Sequence, residues 1–414
     1  MAPLKILICG GGIAGPALAF WLARTEHRVV VVERYPALRA TGAQVDFREQ
    51  GIEMVRRMGL DDAIRAKLVD EQGMALVDSQ GRVQATILAN KSGKGAQTFT
   101  SEYEIMRGDV VRILYDRTRR ADNVEYVFGK TVDSFEQDET GVLARFSDGS
   151  SDTFDILVGA DGQGSRIRKA ILPPDAPEPY RRLGVYIAYW FVPRAPGDSN
   201  IRRTYLSAGG RMIFRRSHSP AETQVYCFLR DDDPALRSIP RASVERQKEF
   251  WAGRFRDAGW QAERFIEGLQ TTENFYCQEV VQVRTDTWSK GRVVLLGDAA
   301  HCASPFSGMG TTGAFVGAYI LAGEIVRHPT DLALAFANYD SQLRPFVDVI
   351  QDIRTGLVRL AMPTSWWGVR IFYFCAWLLC LLRVPTLIAM FSKKERGGWK
   401  VPDYPELQPA NQCS

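Results

Sequence analysis

KILICGGGIAGPALAFWLARTEHRVVVVE, Lys5 to Glu33, decides the fold. Ile6-Leu7-Ile8-Cys9 is a short apolar, β-prone run that stops at glycine. Gly10, Gly12 and Gly15 follow at GxGxxG spacing, and Pro16 to Arg24 has the composition of a helix. Val29 to Val32 is a second buried-strand run that closes on an acid. The stretch therefore reads as one βαβ unit of dinucleotide-binding length. Each glycine has its own reason. Gly10 permits the tight turn, Gly12 lets backbone N–H groups approach a pyrophosphate, and Gly15 lets the helix pack on the strand. The helix N-terminus then faces the anion. Glu33 lies 18 residues after Gly15, with Arg34 beside it, where a carboxylate accepts hydrogen bonds from ribose hydroxyls. That carboxylate would repel a 2′-phosphate, so the first site is expected to hold the ADP part of FAD or NAD. A glycine turn with a purely structural role is the rival explanation, and the ordered strand, spacing and acid weigh against it.

Two later segments choose between the cofactors. DILVGADGQGSRIR (Asp155 to Arg168) is a strand delivering Asp161, followed by a serine and two arginines, which reads as a ligand edge. GRVVLLGDAAH (Gly291 to His301) is another buried strand, delivering Asp298. It runs on through Pro305 to Gly308, Met309, Gly310 and Thr311, ahead of a helix rich in small residues. Asp298 is expected to bind ribityl hydroxyls, and the Gly308 to Thr311 turn to aim amides and a helix dipole at a ring that gains negative charge on reduction. Asp161 and Asp298 have turn capping as their plainer alternative, and Arg107 a surface ion pair. His301 reads first as a packed loop histidine. Gly308 to Gly313 also matches GxGxxG, but no returning strand with an acid follows it, so a second nucleotide fold is not expected.

Together these stretches resemble the class A flavoprotein monooxygenases of the para-hydroxybenzoate hydroxylase fold, over roughly residues 6–345. The resemblance implies that Gly10, Gly12, Gly15 and Glu33 hold the ADP half of FAD, that Asp161 lies near the pyrophosphate, and that Asp298 holds the ribityl chain. By the same likeness Pro305 and Gly308 to Thr311 border the isoalloxazine, Gly42-Ala43-Gln44 is a loop against the flavin, and Arg107 at a strand-to-helix junction contacts FAD. It also implies NAD(P)H as a transient reductant in a shared groove, O2 as co-substrate, and oxygen transfer to an electron-rich, phenolic or polyketide-type aromatic through a flavin C4a-hydroperoxide. Two positions depart from the family pattern: Thr312 stands where Asn is usual, and Gly317 where Asp is common.

The fold class expected is α/β: a Rossmann-like FAD-binding domain (1–75, 101–180, 285–345), an inserted mixed or antiparallel β-sheet substrate domain (76–100, 181–284) and a C-terminal helical, apolar segment (346–414). Arg182 to Arg230 alternates apolar and polar residues as a half-buried sheet does. Tyr186, Tyr189, Trp190, Tyr205, Phe214, Tyr226 and Phe228 lie on it as candidates for a planar substrate's wall, each with core packing as the plainer role. No catalytic residue is singled out.

Composition bounds the rest. The 414 residues are 45% hydrophobic and 24% charged, ordinary for a globular chain and contrary to disorder or coiled coil. A net charge of +4 without a basic, aromatic-interleaved run argues against nucleic acid. Seven cysteines without CxxC and four scattered histidines offer no metal site or disulfide framework and fit a reducing compartment. The N-terminus reads without a secretion signal, so the expected location is intracellular, cytoplasmic or peripheral to a membrane. Ile371 to Leu382 is an unbroken apolar run of twelve, resumed at Leu387 to Phe391 and flanked by Arg370, Arg383, Lys393 and Lys394. It reads first as a helix bridging the lobes, next as one lying on a membrane surface through 366–394, and last as a span. Rival functions are epoxidation, Baeyer–Villiger insertion, and a non-catalytic escort of prenylated GTPases. Halogenation is disfavoured, because the Trp-x-Trp-x-Ile-Pro motif is absent.

Overall fold

The computed structural model describes residues 3–40, 42–88, 103–382 and 398–408. Its first layer is a six-stranded sheet in the order Ser289–Lys290, Val293–Leu295, Ile156–Gly159, Lys5–Cys9, Arg28–Glu33, Val124–Phe128. All pairs are parallel except the two-residue edge strand. Parallel strands covered on both faces need continuous apolar runs, and Ile6, Leu7, Ile8 and Val29 to Val32 are accordingly buried. Helix Ala14–Leu22 is buried along its whole length, because the longer helix Gly310–Arg327 packs beside it.

The second layer is a seven-stranded sheet, ordered Tyr276–Val283, Tyr180–Pro193, Glu222–Arg230, Arg211–Ser217, Ile201–Ser207, Gly73–Val77, Val83–Leu88. It is antiparallel except where Ile201–Ser207 runs parallel to Gly73–Val77. Both faces are covered. Helices Val244–Phe255 and Ala262–Thr271 pack on the far face; the near face looks toward the loops of the first layer. A two-stranded ribbon, Gln44–Phe47 paired with Tyr103–Met106, ties the layers together.

The alternation of a pleated strand therefore divides the seven aromatic candidates. Tyr186, Trp190 and Tyr205 point away from the nucleotide layer into the far core; the Trp190 indole donates to Phe265 O at 2.9 Å and the Tyr205 hydroxyl to Ala258 O at 2.6 Å. These three are core packing. Tyr189, Phe214, Tyr226 and Phe228 lie on the near face.

The C-terminal region forms not one long helix but three, Leu332–Ile350, Thr355–Ala361 and Trp366–Leu381. The first packs on Gly310–Arg327 and the last on the edge of the seven-stranded sheet, so together they run from one layer to the other. No single helix among the described residues is long and apolar enough to cross a membrane. The readings for Arg383, Leu387 to Phe391, Lys393 and Lys394 lie outside the described residues, as does 89–100 of the substrate-domain range.

Candidate active site

The first glycine loop is as tight as its spacing implies. Gly10 has φ +128°, and a Cβ there would come within 2.3 Å of Ala160 O. A Cβ on Gly15 would lie 2.0 Å from Gly10 O. Glu33, ending its strand, accepts the Gly11 N–H at 2.8 Å on Oε2 and the Tyr35 N–H at 3.1 Å on Oε1. The loop's own amide thus orients the carboxylate. Arg34 is exposed beside it, its guanidinium 5.0 Å from the Tyr35 ring.

Arg107 opens helix Arg107–Thr118 and reaches across to this loop. A Cβ on Gly12 would be 3.2 Å from its Nη2, and one on Gly42, at φ +142°, 3.0 Å from its Cδ. Glycine at both positions leaves the guanidinium room between the two loops. The Arg107 N–H donates to Ala43 O at 2.9 Å, which fixes Gly42 and Ala43 against the helix start.

Asp298 starts the short helix after Gly297, whose φ of +62° seats it 2.7 Å, measured from a would-be Cβ, from the Ala14 methyl. Protein walls Asp298 in at longer range, yet its side chain is exposed. Such a group sits on the floor of a deep cleft. Burial lifts its carboxyl above the ordinary value against the hydrogen bond from Cys302 and the charges of Arg107 and Arg168. Pro305–Ser307 forms one 3₁₀ turn, Gly308 is left-handed at φ +63°, and helix Gly310–Arg327 begins with no side-chain cap. Its first-turn amides at Gly310, Thr311 and Thr312 have no acceptor within the helix and point toward the turn.

The neighbouring side chains have partners of their own within the protein. Asp161 Oδ2 accepts the Arg166 and Ile167 N–H groups at 2.8 and 3.4 Å, so this oxygen caps the helix Arg166–Ile171. The two arginines behind it are structural: Arg166 pairs with Asp133, while Arg168, 2% exposed, donates to Ala299 O, Gln163 O and the Tyr180 hydroxyl. The Met309 side chain is in the core and its N–H is taken by Ser307 Oγ at 3.0 Å. Thr312 turns its hydroxyl away from the turn to the Arg48 backbone, accepting from N at 3.2 Å and donating to O at 3.3 Å. His301 is packed against Trp288 with ring centroids 5.2 Å apart, and burial pushes it down to about 4. A Cβ on Gly317 would stand 3.4 Å from His301 Nε2, so the missing acid at this position leaves space for the ring.

The contacts that tie the substrate sheet to these loops escape the sequence reading. Tyr226, on the near face, accepts the Gln44 N–H at 3.0 Å and donates to Gln224 Oε1 at 2.6 Å, while Gln224 Nε2 reaches Gly42 O at 3.3 Å. The substrate sheet thereby grips the 42–44 loop. Next to it Arg216 is held by both oxygens of Glu71, at 2.9 and 3.0 Å, and by Glu104, all buried. Alternate strand positions with an arginine among apolar residues are the only sequence signal of this cluster.

Three turns, the glycine turn after Lys5–Cys9 and two that follow Val293–Leu295, Gly297-Asp298 and Gly308 to Thr312, thus converge below a fourth, 42–44, and face an aromatic wall. The cradle a Cβ would fill, the exposed acid on the cleft floor and the uncapped helix fit an ADP moiety, a polyol and an electron-accepting ring. The comparisons agree. The model of an FAD binding domain matches residues 3–333. An FAD-dependent monooxygenase of Sarocladium schorii, asL4, is 39% identical over 98% of this chain and 99% of its own. The flavin-dependent monooxygenase eupH of a Phoma species is 41% identical over 89% and 90%. Among solved structures, the tetracycline destructase Tet(51) superposes with a TM-score of 0.79 at 28% identity, covering 97% of this chain and all of that one. A Klebsiella pneumoniae HpxO complexed with FAD and uric acid shares the fold at TM-score 0.71 and 21% identity, over 93% and 96%. The escort reading is set aside: the chain belongs to the FAD-dependent monooxygenases built on this FAD-binding domain.

Proposed function

We propose that the protein uses NAD(P)H and O2 to hydroxylate an electron-rich, phenolic or polyketide-type aromatic. The observation carrying this reading is the near face of the seven-stranded sheet. Tyr189, Phe214, Tyr226 and Phe228 present their rings there, Tyr226 and Phe228 stacked at 6.4 Å, and Phe306 of the loop before the helix Gly310–Arg327 stands 6.2 Å from Phe228. A flat apolar molecule fits between such walls, with few polar groups to orient it. The neighbour at 28% identity is named for acting on tetracycline, itself a polycycle, which favours a fused-ring substrate.

We assign cofactor contacts as follows. Gly10, Gly12 and Gly15 give the pyrophosphate its close approach, and Glu33 with Arg34 borders the adenosine. Arg107 neutralises phosphate or ring charge, and Asp298 receives the ribityl chain. Asp161 stays close to the pyrophosphate through its second oxygen, and Met309 contributes backbone only. Gly42 and Ala43 lie on one side of the ring, Pro305 and Gly308 to Thr311 on the other. FAD, once reduced, supplies the activated oxygen; the chain positions, desolvates and orients. Burial raises the Tyr189 and Tyr226 hydroxyls above the ordinary tyrosine value, so both stay protonated and serve as donors, not bases. The Tyr226 hydroxyl is already engaged with Gln44 and Gln224, which leaves Tyr189 as the near-face hydroxyl for the substrate.

A panel of phenols tests this with FAD-loaded protein. Coupled NAD(P)H consumption and an oxygenated product are expected for at least one fused-ring phenol. Consumption that no phenol stimulates, with all electrons recovered as hydrogen peroxide, would contradict it.

A further inference from the structure

Helix Trp366–Leu381 is apolar almost throughout, yet only one stripe of it is even partly buried. Val369, Phe372, Tyr373, Ala376 and Cys380, at spacings of three and four, form an inner stripe packed on the near-face cluster. The stripe is fixed: the Tyr373 hydroxyl donates to Val77 O at 2.6 Å and accepts the Leu206 N–H at 3.0 Å. The opposite side of a surface helix is ordinarily polar. Here it carries Trp366, Ile371, Phe374, Trp377 and Leu381 in the open, three of them 60% exposed or more. Leu357 and Leu360 extend the surface on the neighbouring helix.

The charges carried by this stretch of chain have one sign, although Asp78 stands near Tyr373 on the inner side. Arg354, Arg359 and Arg370 are exposed along it, and from Ile353 to Leu382 the sequence has no acid. The Arg370 guanidinium lies 5.4 Å from the Trp366 ring, holding a cation and an amphipathic aromatic side by side. Sixteen residues at 1.5 Å rise extend about 24 Å, short of the ~30 Å of a bilayer's hydrocarbon, so the helix cannot span one. Tryptophans that seek the headgroup level, a broad apolar face and flanking arginines without acids suit the surface of an anionic bilayer.

We propose that the outer face of Trp366–Leu381 seats the enzyme on anionic membrane surfaces, and that apolar aromatic substrates enter from the lipid. The inner stripe borders the same near-face cluster that contains Tyr189, Tyr226 and Phe228, its helix packing on the strands Val83–Leu88 and Ile201–Ser207 at the other end of that face. The substrate clause rests on the monooxygenase reading; the lipid contact does not.

Flotation of the full-length, FAD-loaded protein tests the contact directly, using vesicles of phosphatidylcholine alone or mixed with phosphatidylserine. The protein is expected to float with the mixed vesicles, and less so in high salt. The triple variant Trp366→Ser, Phe374→Ser, Trp377→Ser, altered only on the outer face, is expected to lose the floating fraction while keeping its flavin content and melting temperature. Failure to float with either vesicle overturns the proposal, and so does equal flotation with both. So does light scattering that finds a dimer which the triple variant dissociates, because the face would then be covered by a second copy. Flavin content and phenol-stimulated NAD(P)H oxidation, measured without vesicles, report separately on the activity.

Discussion

Replacing Gly15 by alanine probes the nucleotide loop at its tightest point. The new Cβ would stand 2.0 Å from Gly10 O and 3.1 Å from Ile8 Cγ2, and Cβ contacts below 3.0 Å essentially do not occur. The nearest obstacle, Gly10 O, is backbone, so no side-chain rotation relieves it, and the turn has to open by about 1 Å. Overpacking of this kind costs about 1–3 kcal/mol of stability. The same displacement pulls loop amides from the pyrophosphate. Loss of a single hydrogen bond to a charged group, worth about 1.5–3 kcal/mol, weakens FAD binding roughly ten- to hundredfold. Titrating apoprotein with FAD and following flavin fluorescence measures this. Gly164→Ala is the control, because a Cβ there meets nothing within 4 Å. If Gly15→Ala binds FAD as tightly as wild type, or if both substitutions weaken binding equally, the loop is not the pyrophosphate cradle.

The remaining predictions concern burial and the sheet's two faces. Native His301 is pushed from 6.5 to about 4, so between these values the unfolded chain takes up a proton the native state excludes. Its share of stability is whole above pH 6.5 and is lost as pH falls toward 4, about 3 kcal/mol in total. In urea melts against pH, His301→Leu should lose that slope; parallel curves for variant and wild type would refute it. Tyr226→Phe strips the buried Gln44 N–H and Gln224 Oε1 of their partner, at about 1–3 kcal/mol for each group left unsatisfied. The loosened 42–44 loop should divert NAD(P)H electrons to hydrogen peroxide, and unchanged coupling would show that Tyr226 does not position it. Tyr189 and Trp190 are adjacent but face opposite ways. Tyr189→Leu should raise the KM for an aromatic substrate, whereas Trp190→Phe, which loses the bond to Phe265 O, should lower Tm at constant KM; the reverse pattern would assign the wrong face to the pocket.

How much of this is legible in the sequence depends on where the constraint lies. The βαβ unit is local: apolar runs, three glycines and Glu33 fix strand, turn and helix within one stretch, and the structure reproduces them. The placement of Asp298 is legible for the same reason, since it follows a buried strand and a glycine and opens a short helix. Asp161 sits in the same kind of context, and only the return of the Arg166 and Ile167 amides onto Oδ2 makes it a cap. The sheet's facing is not legible from alternation, since aromatic residues occupy both faces and the helices covering the far one lie at 244–255 and 262–271. Tyr186 and Tyr189 look alike until that packing is known. The direction of Met309, the commitment of Arg168 and the grip of Tyr226 on residues 42–44 are likewise contacts over long sequence separations. The apolar run Ile371 to Leu382 reads as helix and falls almost wholly within Trp366–Leu381, but hydropathy does not show that this helix and Leu332–Ile350 pack on different layers.

The central claim is a location: the flavin ring between the Gly308 to Thr312 turn and the near face of the seven-stranded sheet. Electron density from crystals grown with FAD measures it directly. The ring is expected beside Gly42 and Ala43, within contact of the Tyr226 and Phe228 side of the sheet, with the ribityl chain on Asp298. A ring found elsewhere, with Asp298 touching no part of the cofactor, would contradict the account.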